Sequence, residues 1–454
     1  MINHKLRHLP LAAAALVACA GAHAGYSSPD GSFSLSGFGT LGYARTTTDD
    51  AFYNYRGQGD GADTKGSFTT DSKVGVQGTY RMTPTLQATA QVMSKVTAEG
   101  DYGPSLEWAY AKWQATPAIS VRAGRLGGPF FMLSDFREVN YTVTSVRPSM
   151  DVYGQVPVTD YEGADASYQF SVGDATITSS IAAGRSSAKY ALDFPRNRPA
   201  SDLKLTGMAA FNIVAELENG LLLRFGRTQG KLSITSASSL QIARYSAIIA
   251  DAEAAAGNAT GAAQYNAVAN ALGGASSDAN FTGIGFAYDQ SNWVLSGEFT
   301  KRKTKGFVSD STGYAVLGGY RVGKFTPFVG FSKVKTDERH SPVAPGVVSG
   351  GAQTVLTSLL GATGTALGSQ GPALLAGSRF ISDTQNIDES TKSIGIRWDT
   401  ASGIALKAQF DHISKPTDGT GLFLVPLSPV PAEQAWVHSA RSINVLSVSM
   451  DFVF

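Results

Sequence analysis

Cysteine is all but missing from this chain of 454 residues: Cys19 is the only one. A fold stapled by disulfides is excluded, and so is a thiolate metal cluster. Charge is sparse too, at 16% Asp, Glu, Lys and Arg, with 37 bases against 36 acids. That balance excludes a strongly basic nucleic-acid binder. No run approaches the roughly 20 apolar residues of a membrane helix, and the mean hydropathy is −0.05. Beyond residue 24 the only histidines are His340, His412 and His438, scattered without metal-ligand spacing. There is no G-x-S-x-G elbow of the common serine hydrolases. Gly37 to Gly42 spells G-x-G-x-x-G, but Thr46-Thr47-Thr48-Asp49-Asp50 follows where a dinucleotide site would open a helix. Those glycines read as relief of crowding in a curved strand, and Asp60 and Asp63 read as solvated loop residues. No catalytic group, metal or cofactor is expected.

What is present begins with an export signal. Lys5 and Arg7 form a basic start, Leu9 to Val17 a short apolar segment, and Ala22-His23-Ala24 a small-x-small cleavage site. Residues 1–24 are therefore expected to leave, with 25–454 as the mature chain. Leu16-Val17-Ala18-Cys19 also resembles a lipobox, which would make Cys19 a lipidated N-terminus instead. Cleavage before Gly25 takes two bases and no acid, leaving a net charge of about −1.

The mature sequence alternates in twos. In Ser442 to Phe454, Leu446, Val448, Met450, Phe452 and Phe454 share one face, against Ser447, Ser449 and Asp451 on the other. Sixteen segments of this kind recur: 33–44, 74–82, 86–96, 105–114, 118–125, 161–170, 174–184, 203–217, 220–230, 280–289, 292–302, 312–321, 325–335, 390–399, 403–413 and 442–454. Each is about long enough to cross a bilayer as a tilted strand. Connections after even-numbered segments are tight and those after odd ones generally long, the rim parity of an outer-membrane barrel with its short turns in the periplasm. Ile404, Leu406, Ala408 and Phe410 would face lipid while Lys407, Gln409 and Asp411 face water. Tyr80, Trp293, Tyr320 and Trp398 lie where interfacial girdles belong. Pro327 is out of place in a strand paired on both sides. The expected class is all-β: a transmembrane antiparallel barrel of 16 strands, with long extracellular loops at 231–279 and 336–389. Alanine-rich helices are expected within 236–275 and, less clearly, 353–367.

The first strand F-S-L-S-G-F-G-T-L-G-Y-A (33–44), the segment A-L-K-A-Q-F-D-H-I (405–413) and the ending D-F-V-F (451–454) resemble those of Gram-negative porins of the general-diffusion type. The resemblance implies a barrel of 16 strands, a homotrimer in many members, and an inward-folded third extracellular loop, here 126–160. It implies a cell outer membrane location among lipid and lipopolysaccharide, and recognition of Phe454 by the barrel-assembly machinery. It further implies loop acids set across the pore from wall bases, here Asp135, Glu138 and Asp151 against Lys73, Arg81, Lys95, Arg122, Arg224 and Lys407. Leu126 to Met132 departs from the Pro-Glu-Phe-Gly signature of such loops.

The function expected is a water-filled channel for passive diffusion of small hydrophilic solutes and ions. Two alternatives stand beside it: a substrate-selective channel for a small anionic solute, and a barrel-anchored adhesin or enzyme working through its long loops.

Overall fold

Segments crossing lipid must pair every backbone N–H and C=O among themselves, because the bilayer core offers no partner. The computed structural model describes residues 25–191, 200–425 and 435–454, and there the alternating segments form one antiparallel sheet. Its first eight strands are β1 (Phe33–Thr46), β2 (Lys73–Arg81), β3 (Leu86–Val96), β4 (Tyr102–Gln114), β5 (Ile119–Gly127), β6 (Asp160–Val172), β7 (Ala175–Tyr190) and β8 (Ser201–Leu217). The other eight are β9 (Leu221–Thr235), β10 (Ser277–Gln290), β11 (Trp293–Thr304), β12 (Asp310–Tyr320), β13 (Phe325–Glu338), β14 (Glu389–Ala401), β15 (Ile404–Lys415) and β16 (Arg441–Val453). Each pairs with the next, and β16 returns to β1 from Val445–Thr46 to Val453–Phe38. The sheet is a closed barrel of 16 strands without an edge. A two-residue strand, Tyr26–Ser27, lies against the start of β1. The expected signal, with Cys19, falls outside the described residues.

Turns after even-numbered strands have two to four residues. Ser402-Gly403 is one of the shortest, and Gly403 takes φ 74° there, a conformation that costs glycine little. Of the connections on the opposite rim, 97–101 and 305–309 are also short. β9 and β13 run on to Thr235 and Glu338, so the long loops span 236–276 and 339–388, and the loop after β5 spans 128–159. Pro327 lies one residue beyond the last β12–β13 pair, Gly319–Phe328, so its missing donor costs that ladder little.

The outer wall is greasy. Val76, Val92, Ile181, Ile284, Val316, Val329, Ile394 and Val448 are exposed, a surface that suits lipid and not water. Near the short-turn rim, Trp293 packs edge-on to Tyr320 and Phe325 stacks on Trp398, forming part of an aromatic girdle. At the other rim the 236–276 loop folds into helices α1 (Ala237–Ala255) and α2 (Ala259–Leu272), the first capped where Ser236 accepts from the Ser239 N–H at 3.0 Å. The 339–388 loop forms α3 (Gly350–Leu360), α4 (Ala362–Gly368) and α5 (Gly371–Thr384). α1, α2 and α3 bury Ile249, Tyr265, Val268 and Leu356 in one apolar cluster with Leu203, Ile234, Phe281 and Phe307, so these loops cap the mouth as a packed lid.

The closing seam carries a buried ion pair. Lys407 Nζ lies 2.9 Å from Asp451, both side chains wholly buried, and Asp451 also accepts from Thr40 Oγ1 across the β16–β1 junction at 2.7 Å. Asp451→Ala would leave a buried ammonium without its counter-charge, a loss of about 3–5 kcal/mol. We expect a lower urea midpoint in lipid vesicles than for Val448→Ala on the lipid face; equal midpoints would contradict the role given to this pair.

Candidate functional site

The segment 128–159 starts and ends on one hydrogen bond, Gly128 N–H to Thr159 O at 2.8 Å. Between those points its sequence is rich in aromatics and hydrogen-bonding groups, and many of them find partners on the inner wall or within the segment. Phe131 stacks on Tyr153 and meets Phe281 edge-on. Glu298 on β11 accepts from the Met132 N–H at 2.8 Å and from Tyr153 Oη at 2.6 Å. Farther along, Gln409 accepts from the Val146 N–H at 2.9 Å, and Arg397 donates to the Tyr141 and Val143 carbonyls. Arg147 is clasped by Asp71 at 2.6 Å with Asp411 at 3.5 Å. Gln155 reaches Thr300 and Ser311. These partners all project inward, so the segment lies inside the barrel. Among the described residues no hydrogen bond ties it to β4–β8, and on that flank Asp135 and Phe136 are exposed.

Five of the candidate charges lie on this flank or beside it. Glu138 meets Lys73 at 2.9 Å and Lys95 at 3.0 Å, and Lys95 also approaches Glu107 at 3.6 Å. Burial alone would raise the Glu138 carboxyl; Lys73, Lys95 and Arg137 hold it well below the usual carboxylate range. Arg122 grips Asp165 through Nε and Nη2, at 3.0 and 2.7 Å, and lies over the Tyr110 ring. Asp135 makes no ion pair among the described residues. A cavity of about 300 Å³ opens above this group, lined by Lys73, Lys95, Glu107, Arg137, Glu138 and Asp160.

The other four candidates sit elsewhere. Asp151 does not face a wall base: it is 1% exposed, within the short helix Met150–Tyr153, and accepts from Ser332 and Thr391. Lys407 is not open to the pore, because the carbonyls of Asn140, Val143 and Ser145 cover it at 2.6 to 2.9 Å. Arg224 is buried as a clamp, donating to the Pro129 and Phe130 carbonyls and to Asn212. Arg81 ends β2 at the exposed short-turn rim. Charges on an inward face satisfy the loop backbone whenever the loop crosses them, which alternation alone does not show.

Sequence reasoning passed over Arg147 and Glu298 and read Gln409 and Arg397 only as inward, water-facing wall residues; all four dock the segment. Glu298 and Arg397 stood on inward positions of their strands; nothing local marked Arg147. It read His340 as scattered and did not name Asp310 or Glu338, although ligand-type atoms of the three lie within 4.8 Å of one another at the loop-side rim. Asp310 lies 28 and 30 positions before the other two and meets them only through β12–β13 pairing.

A family model described as Gram-negative porin matches residues 12–415. Among solved structures the chain is similar to an anion-selective porin from Comamonas acidovorans, at 12% identity over 93% of this chain and 99% of that one, TM-score 0.51. It is also similar to the outer membrane channel DcaP of Acinetobacter baumannii, at 9% identity over 95% and 100%, TM-score 0.50. At such identity these likenesses bear on the fold alone. Among curated proteins none matches the chain.

The Glu138 pairing sets a pH window. Because its carboxyl is held low, the docking it provides is present above the ordinary glutamate range near about 4.3 and is lost only as pH falls through its own lower value. Single-channel conductance of the wild type should therefore hold steady through that range and change at stronger acidity. Glu138→Gln should show the acid-like conductance already at neutral pH. A wild-type change centred on the ordinary glutamate range would contradict the pairing.

Proposed function

The chain belongs to the Gram-negative porin family, and on that premise we propose that its lumen sorts solutes by width and by a field of interleaved ion pairs. It is an outer-membrane channel for passive diffusion of small hydrophilic solutes. Family and fold point away from an enzyme. The observation that carries the proposal is the charge arrangement beside the free flank of the 128–159 segment. Lys73, Lys95, Arg122 and Arg137 alternate with Glu107, Asp135, Glu138 and Asp165, most of them already in contact. Paired charges a few ångströms apart cancel at a distance, so the field across the passage is weaker than one between two opposed charged walls. Bases and acids balance here, so the preference between anions and cations is slight. Asp135 and Arg122, facing each other from segment and wall, act on the passing solute.

A second reading is a channel selective for a small anionic solute, favoured by the packed lid of helices over the mouth. A current block that saturates with one class of solute would separate it from general diffusion.

The partners are proposals as well. Outer-membrane lipid and lipopolysaccharide surround the wall, and the barrel-assembly machinery reads Phe454, which is bonded to Gly37 at the short-turn rim. A homotrimer is supported by a row of outward alanines in mutual register: Ala88, Ala111, Ala123, Ala164, Ala183 and Ala209, one on each strand from β3 to β8. Small side chains let backbones of neighbouring molecules approach closely in a membrane.

Two outcomes are expected. Under a salt gradient the wild type should give a reversal potential near zero, and Arg122→Ala, which frees Asp165, should move it toward cations; an unmoved potential would remove Arg122 from the passage. Ala123→Trp remains compatible with lipid but not with close packing, so detergent-extracted protein should shift from trimer to monomer mass. A mass equal to that of the wild type would count against the alanine face.

A further inference from the structure

Above the 128–159 segment, a second cavity of about 80 Å³ lies between its start and end, the top of β11 and the lid. Its walls are mostly apolar, from Phe130, Pro157, Leu203, Phe281, Phe307 and Val308. Two arginines also line it. Arg302 is 8% exposed and its guanidinium donates three bonds, two to the Ser309 carbonyl at 3.2 and 3.0 Å and one to the Gln155 carbonyl. Arg56, half-buried, donates to Tyr190 Oη and to the Thr384 carbonyl at 3.4 Å.

Neither arginine has a carboxylate in ion-pair contact among the described residues. Asp310, an acid close by, is occupied by the Thr304 N–H at 2.8 Å and by His340 at 3.2 Å. A guanidinium carries five N–H donors, so each keeps donors unused by the protein. Carbonyl acceptors satisfy hydrogen bonds but leave the positive charge uncompensated, and an uncompensated charge in apolar surroundings is costly. Among the other buried bases of this lumen, Arg147 has Asp71 and Lys407 has Asp451, while Arg224, held by carbonyls and Asn212, does not line this cavity. An apolar cavity with a few convergent polar groups is the usual form of a small-ligand site.

We propose that this cavity binds a small aliphatic monocarboxylate, its carboxylate between Arg56 and Arg302 and its tail against Leu203, Phe307 and Val308. The size fits: at 10–15 Å³ per water-sized centre the space holds roughly six non-hydrogen atoms, the number in butyrate. Arg56 and Pro157 also border the larger vestibule cavity, so an anion entering from the mouth reaches Arg56 before it reaches the narrowed passage. The site deepens the selective-channel reading and rests on a solute reaching the lumen.

Butyrate is the probe. Ligand-observed NMR on detergent-solubilised full-length protein should show saturable binding, with n-butanol, which has the same tail without the charge, failing at equal concentration. Arg56→Gln should weaken binding tenfold or more, and Arg302→Gln at least as much. Because Arg302 also fastens Gln155, the half-buried Arg56 variant decides if the Arg302 variant does not fold. In planar bilayers butyrate should reduce the current along the same saturation curve. Conductance without saturable butyrate binding overturns the site and leaves the channel standing. Butyrate binding to a protein without conductance supports the site and overturns the channel. Equal affinities in wild type and Arg56→Gln, or equal binding of n-butanol, overturn the site.

Discussion

The pairing of β16 with β1 is the interaction on which the rest depends. Opened there, the sheet would present two rows of unpaired N–H and C=O groups to hydrocarbon, each row far more costly than any side-chain contact in the molecule. Closure makes the outer face a uniform apolar wall and leaves the inner face wet. It is also where Asp451 joins Thr40 on one side and Lys407 on the other, so the electrostatic pair that holds the 128–159 segment near β15 is built on the same seam.

Closure creates a tube whose inner wall is lined with polar side chains, and the 128–159 segment uses that wall as a backbone partner. Arg224, Arg397 and Lys407 donate to its carbonyls; Glu298 and Gln409 accept from its N–H groups. Charged side chains are suited to this, since bonds to charged groups are stronger than those between neutral ones. The consequence for function is asymmetry. The segment is hydrogen-bonded towards β11, β14 and β15, Glu138 ties it to Lys73 on β2 and Lys95 on β3, and the Arg122–Asp165 pair stands on the less tethered flank. The lid packs on the segment through the cluster around Phe131, Phe281 and Tyr265, so loop and lid brace each other.

Much of this architecture was legible in the sequence because period-two alternation is a local property. Val448 and Ser449 declare their faces without knowledge of any neighbour, and sixteen such segments with alternating connection lengths give the closed barrel. The lid helices were partly legible through Ser236 and the alanines that follow; α5, with Pro372 and four glycines or serines among its residues, carried a weaker local signal. Which inward charges stay open to solute was not legible. Lys407 and Arg122 look alike on their strands, but three carbonyls from residues 140–145 cover one and none covers the other. Asp151 reads as a loop acid, and only the fold reveals Ser332 and Thr391 beside it, 181 and 240 positions away.

The central claim is that a continuous aqueous path survives beside the docked segment and lid. Liposome swelling with the purified mature chain tests it most directly. The account predicts that neutral sugars enter at rates that fall steeply with size and rise in proportion to concentration without saturating. Liposomes that stay impermeable to the smallest sugars, although the barrel is folded in them, would contradict it.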